Sequence, residues 1–183
     1  RRQRQMCIRD SIIIIRESSN MPAEIFTMDK DGKNLRQITS VNSNLAREIE
    51  MNTLDSFWFK GAQGADVNGF LLKPPFFDPQ KKYPAILLVH GGPQGQWGDD
   101  FHYRWNSQMF ASRGYVVIMI NPRGSTGYGQ KFTDEVSKDW GGRAYVDLMN
   151  GLDYVVRTYP FVDSSRIAGA GASYGGYMMN WII

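Results

Sequence analysis

The stretch Gly171-Ala172-Ser173-Tyr174-Gly175-Gly176 constrains this chain more than any other. Arg166 to Gly171 reads as a short buried strand and Tyr174 to Ile183 as the start of an apolar helix, so Ser173 falls on the turn between them. A strand that passes directly into a helix brings two backbones together, and the residues two before and two after the turn must be small. The same turn exposes the Ser173 hydroxyl and leaves the Tyr174 N–H at the helix start, where it can meet a developing negative charge. The pattern points to Ser173 as a nucleophile and the Tyr174 amide as one oxyanion donor. The competing explanation is a glycine-rich turn that carries a serine by chance.

The chain upstream supplies the sheet that such a turn needs. Ala85 to Val89 and Val116 to Ile120 are apolar on both faces, as strands inside a parallel sheet are. The stretch from Tyr103 to Ser112 is long enough for a crossover helix between them, which makes a β-α-β unit. Tyr145, Leu148, Met149, Leu152, Val155, Val156 and Tyr159 recur at helical spacing and predict a second helix, which stops before Pro160. Gly151 is a local objection, costing about 1 kcal/mol relative to alanine. The three apolar runs should be adjacent parallel strands with His90, Asn121 and Ser173 at one edge. Before them, Phe57–Phe59 and Phe70–Leu72 read as a hairpin, and three short runs from Ile12 to Thr39 as an antiparallel meander. Residues 40–52 have no clear period and read as a connection.

Two further motifs follow buried strands. His90-Gly91-Gly92-Pro93 follows the first; its glycines let backbone N–H groups converge on negative charge, which makes Gly91 and Gly92 candidates for the second half of an oxyanion hole. Asn121-Pro122-Arg123-Gly124-Ser125-Thr126-Gly127-Tyr128-Gly129 follows the second, on the side of the sheet where ligands bind. It lacks the Lys-Ser/Thr of a phosphate-binding loop. In this strand-turn-helix context the base follows the nucleophile along the chain, which excludes His90 and His102. Ser125 has no base near it in sequence and reads as structural, and Asp147 and Asp153 read as solvated or capping charges.

His90-Gly91-Gly92-Pro93, the Asn121–Gly129 loop, Trp140-Gly141-Gly142 with Asp147, and the Ser173 turn occur in the order and spacing of the prolyl oligopeptidase family. The chain resembles the acylaminoacyl-peptidase and dipeptidyl-peptidase branches, densely from Phe57 onward and more thinly from Ile12 to Thr39. The resemblance implies an α/β fold: residues 12–50 as the end of a β-propeller with its linker, and residues 51–183 as the N-terminal half of an α/β hydrolase domain. It also implies a serine peptidase acting on peptide substrates through an acyl-enzyme at Ser173, with Tyr174 and the Gly91–Gly92 pair as oxyanion donors and no metal or cofactor. The family's Asp and His follow the nucleophile, so they are expected beyond Ile183, and these residues alone are expected to be inactive. An esterase or lipase, or a pseudo-enzyme that only binds peptides, is the alternative.

Charge and cysteine content narrow the remaining classes. The formal net charge is +3, and Arg1, Arg2, Arg4 and Arg9 against Asp10 account for all of it. The rest is balanced, which leaves no basic stripe for nucleic acid or an anionic membrane. Residues 1–11 have neither an apolar core nor a period, and are expected to be a non-native tail that packs against nothing; a native basic tail is the alternative. Cys7 is the only cysteine, which excludes an internal disulfide framework but leaves cytoplasm and periplasm both open. Oligomeric state has no signal in the sequence.

Overall fold

The computed structural model describes residues 5–8 and 10–183, with side chains from Asp10 onward. The first sheet is antiparallel, in the order β1 (Gln5–Ile8), β2 (Ser11–Ser18), β3 (Met21–Asp29) and β4 (Arg36–Gln37). Alternation puts Ile12 and Ile14 on one face, where they meet Phe26 from β3 in a small core. The expectation that residues 1–11 pack against nothing is corrected at Gln5–Ile8, where β1 runs along β2, with Cys7 opposite Ile12 and Met6 opposite Ile13; the part of it that concerns residues 1–4 and 9 lies outside the described residues. An edge strand offers a row of free backbone N–H and C=O groups, and pairing with it is a backbone property that composition does not report. In the 40–52 connection, α1 (Ser43–Glu48) forms a short helix with no buried residue.

The second sheet contains β5 (Asp55–Lys60), β6 (Asp66–Leu72), β7 (Tyr83–Val89), β8 (Val116–Asn121) and β9 (Val162–Gly171), in the spatial order β5-β6-β8-β7-β9. β7, β8 and β9 are parallel, with Leu88 opposite Met119 and Val89 opposite Gly171. His90, Asn121 and Ser173 therefore emerge at one edge, as the sequence predicts. The β5–β6 hairpin joins β8 antiparallel, with Asn68 opposite Asn121. The sheet is mixed because a hairpin can extend a parallel sheet without a crossover helix.

Helices cover both faces. α4 (Arg143–Thr158) and α5 (Tyr174–Ile182) bring Leu148, Val155 and Met178 against Leu71, Leu87 and Ile118. On the other face α2 (Ser107–Ala111), shorter than the stretch allotted to it, places Ala111 against Leu88 and Val117. A further short helix, α3 (Gln130–Asp134), follows the Asn121–Gly129 loop. The buried stripe of α4 is Ala144, Asp147, Leu148, Gly151 and Val155, with the aromatic residues of the predicted face only partly covered at its margins. Gly151 belongs there: a Cβ would sit 2.5 Å from Ile120 Cδ1 and 2.6 Å from Phe59 Cζ, so its absence lets α4 lie close on the sheet. The two sheets are joined through α2 and the turn after β2. Ser19 N donates to Asp99 Oδ1 at 2.9 Å, and Gln108 Nε2 donates to Asn52 O at 2.7 Å and Ser19 O at 3.3 Å.

Candidate active site

Ser173 joins β9 to α5 with φ 57° and ψ −124°, a left-handed region that costs a residue with a side chain about 1–3 kcal/mol. The flanking glycines make the turn possible. A Cβ on Gly171 would lie 2.5 Å from the Gly175 carbonyl, and one on Gly175 would overlap Val89 O. The turn is thereby pressed against the end of β7, where His90-Gly91-Gly92 begins. Gly91 packs directly on it: a Cβ there would lie 3.1 Å from Ala172 O, 3.4 Å from Ser173 Cβ and 3.9 Å from Ser173 Oγ. Tyr174 opens α5, so its N–H belongs to the first helical turn, whose donors have no intrahelical acceptor. The structure thus brings Ser173, Tyr174 and Gly91 together, with Gly92 next along the chain. A cleft of about 420 Å³ opens beside them, lined among others by Gly91, Trp97, His102, Trp105 and Ala172.

The Tyr174 side chain anchors the helix start from the opposite side. Its hydroxyl donates to Trp140 O at 2.7 Å and its ring meets the Trp140 ring edge-on at 5.5 Å. Burial, reinforced by the neighbouring Tyr177, raises its pKa and keeps the phenol protonated. Trp181, two turns along α5, donates from Nε1 to Gly141 O at 2.9 Å. The Trp140-Gly141-Gly142 segment is therefore a seat for the helix that carries the candidate oxyanion donor.

Neither histidine forms a hydrogen bond with Ser173. His90 is buried, its Nδ1 2.8 Å from Gly91 O and its Nε2 2.9 Å from Ser125 Oγ. Burial lowers its pKa, and the hydrogen bond to Gly91 only partly opposes this, so the ring is held neutral. Exposed His102 caps a turn, its Nδ1 accepting from Arg104 N and Trp105 N at 3.0 and 2.9 Å. Ser125 does have an imidazole partner, 35 residues away in sequence, a pairing that no local pattern announces. It is fully buried, so its hydroxyl is out of a substrate's reach.

The Asn121–Gly129 loop is fixed by buried polar groups. Asn121 accepts from Trp97 N at 2.8 Å and donates to Trp97 O at 3.1 Å and the Tyr128 hydroxyl at 2.8 Å. Arg123 and Asp147 correct the expectation of a solvated or capping Asp147. Asp147 is fully buried and accepts from Ala62 N (2.7 Å), Arg123 N (2.8 Å), Arg123 Nε (2.9 Å) and Arg123 Nη2 (3.0 Å). The same guanidinium reaches Glu135 Oε2 at 2.9 Å and Ala62 O. Asp147 sits on the buried stripe of α4, where a lone carboxylate would be costly and a paired, fully hydrogen-bonded one is tolerated. Asp153 is exposed, as expected. Among the described residues no three His, Cys, Asp or Glu side chains cluster to hold a metal ion.

Residues 101–183, which include the Asn121–Gly129 loop and the serine turn, match the prolyl oligopeptidase family. Consistent with this, the chain is 47% identical over 134 residues to dipeptidyl-peptidase 5 of Schizosaccharomyces pombe, covering 73% of this chain and 20% of that protein. It is 50% identical over 129 residues to a probable dipeptidyl-peptidase 5 of Aspergillus clavatus, covering 70% of this chain and 18% of the relative. An acylaminoacyl peptidase in complex with Z-Gly-Gly-Phe-chloromethyl ketone superposes with TM-score 0.86 at 34% identity, over 97% of this chain and 28% of that one. Pyrococcus horikoshii acylaminoacyl peptidase gives TM-score 0.85 at 33% identity with the same coverage. The chain thus spans about a fifth of the length of the curated relatives it matches. The α/β fold with a mixed sheet described above is similar to that of the acylaminoacyl peptidase.

Proposed function

We propose that this chain is part of a serine peptidase that cleaves short peptides by acyl transfer, with Ser173 as the nucleophile. The observation that carries this is the left-handed serine turn wedged between Gly171 and Gly175 and pressed against Gly91. It presents one hydroxyl where two sets of backbone N–H groups can converge. Ser173 Oγ attacks the scissile carbonyl, and the oxyanion is met by the Tyr174 amide and by an amide of the Gly91–Gly92 pair. The acid and base of the triad follow the nucleophile in this fold, so neither His90 nor His102 serves as the base. Residues 12–50 close a β-propeller and residues 51–183 begin the hydrolase domain. The names of the relatives point to substrates presented by their amino terminus, as dipeptidyl or acylaminoacyl units.

Fluorophosphonate labelling tests this, since such probes react with activated serines. An active polypeptide carrying these residues should be labelled at Ser173, and Ser173→Ala should lose both labelling and hydrolysis of aminoacyl or dipeptidyl chromogenic substrates while keeping its unfolding midpoint. The 183 residues alone should be labelled slowly, because loss of a triad member costs roughly 10⁴ to 10⁶ in rate. Labelling of Ser173→Ala at the parent rate sinks the proposal.

A further inference from the structure

The His90 ring is buried beside the candidate oxyanion loop, touches no part of the nucleophile turn through its nitrogens, and is fully committed. Gly91 O can only accept a hydrogen bond, so the ring nitrogen 2.8 Å from it, Nδ1, carries the proton. In a neutral ring that leaves Nε2 as an acceptor, and the group facing it at 2.9 Å is the Ser125 hydroxyl. Ser125 Oγ has no other hydrogen-bond partner among the described residues, and the residue is fully buried. The serine is itself held, its N–H donating to Pro122 O at 3.0 Å and its carbonyl accepting from Thr133 Oγ1 at 3.0 Å. Thr126 N then donates to Gly95 O at 2.9 Å, a second tie between the two loops. A chain of hydrogen bonds thus runs from the Asn121–Gly129 loop through an imidazole to one peptide group of the glycine pair.

That peptide group matters because it is rigid. Gly91 C=O and Gly92 N–H belong to one planar trans unit, so fixing the carbonyl against His90 turns the N–H to the opposite side. Gly92 has φ 124°, a backbone state that nothing but glycine holds easily and that rotates readily unless something pins it. We propose that His90, oriented by Ser125, is a positioning residue that locks the Gly91–Gly92 peptide so that its N–H stays aimed for the oxyanion. This role rests on Ser173 being the nucleophile. The pair does no proton transfer with substrate; it removes a rotation that would otherwise have to be frozen in the transition state.

The test separates the two ring nitrogens in an active polypeptide carrying these residues. Asparagine at position 90 places an amide N–H where Nδ1 is and keeps the bond to Gly91 O; glutamine reaches toward Ser125 and loses it. His90→Gln is expected to lower kcat about 100-fold, the scale of losing one oxyanion donor, with KM within about threefold. His90→Asn should recover most of that loss, and a peptide boronic acid, which mimics the tetrahedral species, should lose affinity in step with kcat/KM across the series. Ser125→Ala, a change of one buried atom, should lower kcat about tenfold. Fluorophosphonate labelling at Ser173 in the parent protein checks the nucleophile independently, so its failure overturns the functional proposal and not merely the positioning role. Equal kcat in His90→Gln and His90→Asn overturns the positioning role, as does boronate affinity that fails to follow kcat/KM. Should His90→Gln not fold, an unchanged kcat in Ser125→Ala overturns it.

Discussion

Arg123 and Asp147 form a charge pair with almost no access to water, and breaking it from either side should be costly. Arg123 is 2% exposed and Asp147 0% exposed. Four donors converge on the carboxylate, two of them the backbone amides of Ala62 and Arg123. Asp147→Asn removes the charge and turns an NH₂ toward at least one of those donors, leaving the guanidinium with only partly exposed Glu135 as counter-charge. Arg123→Met leaves the carboxylate with its two amide donors and also removes the cation lying 5.7 Å over the Phe132 ring. Uncompensated buried charges of this kind cost about 3–5 kcal/mol, which for a chain of this length is a fall of about 6–20 °C in Tm. The double variant Arg123→Met/Asp147→Asn strands no charge, so its loss should fall short of the sum of the single losses by about 2 kcal/mol. Urea unfolding of the four proteins at neutral pH, followed by tryptophan fluorescence, supplies the cycle. Single losses below about 1 kcal/mol, or additivity within about 0.5 kcal/mol, would refute the account of a dry, mutually dependent pair.

Two smaller effects are open to the same measurement. Ser173→Gly should raise stability by up to about 1 kcal/mol while abolishing fluorophosphonate labelling, because glycine relieves the strain at φ 57° but its more flexible unfolded chain offsets part of the gain; a loss of stability would argue against stored strain at the turn. His90 has its pKa lowered from 6.5 by burial, so between that value and its folded value the unfolded chain takes up a proton that the folded chain refuses. Its contribution is fully present above pH about 6.5 and is lost as pH falls below it. The urea midpoint of the parent protein should therefore drop more steeply from pH 7.5 to 5.5 than that of His90→Asn, and parallel pH curves would count against it.

Much of this chain was legible from local pattern. The apolar runs at Ala85–Val89 and Val116–Ile120 became the central parallel strands because a strand covered on both faces has no polar alternation to keep. The Ser173 turn could be read from its glycines because the close approach they permit is a property of a few consecutive residues. Gly91 and Gly92 could be brought to Ser173 in advance for a similar reason, since parallel strands deliver their C-terminal ends to one edge.

What remained hidden depended on residues far apart in the chain. The helical period marked a face of α4 but could not show that Asp147 lies inside it, because a buried carboxylate is decided by its partner, and Arg123 arrives from the end of β8. The insertion of the β5–β6 hairpin beside β8 and the pairing of β1 with β2 follow from free strand edges, which exist only once the sheets have formed. The bond from Ser125 to His90 is the sharpest instance. In sequence Ser125 reads as structural and His90 as a base excluded by its place in the chain, and only the side-by-side packing of β7 and β8 sets a hydroxyl 2.9 Å from an imidazole nitrogen. The sequence by itself determined which segments extend, turn and coil, since those depend on side chains a few residues apart. The tertiary structure decided which polar groups meet, since the free energy of a buried hydrogen bond is set by what lies across the fold and not by what lies next in the chain.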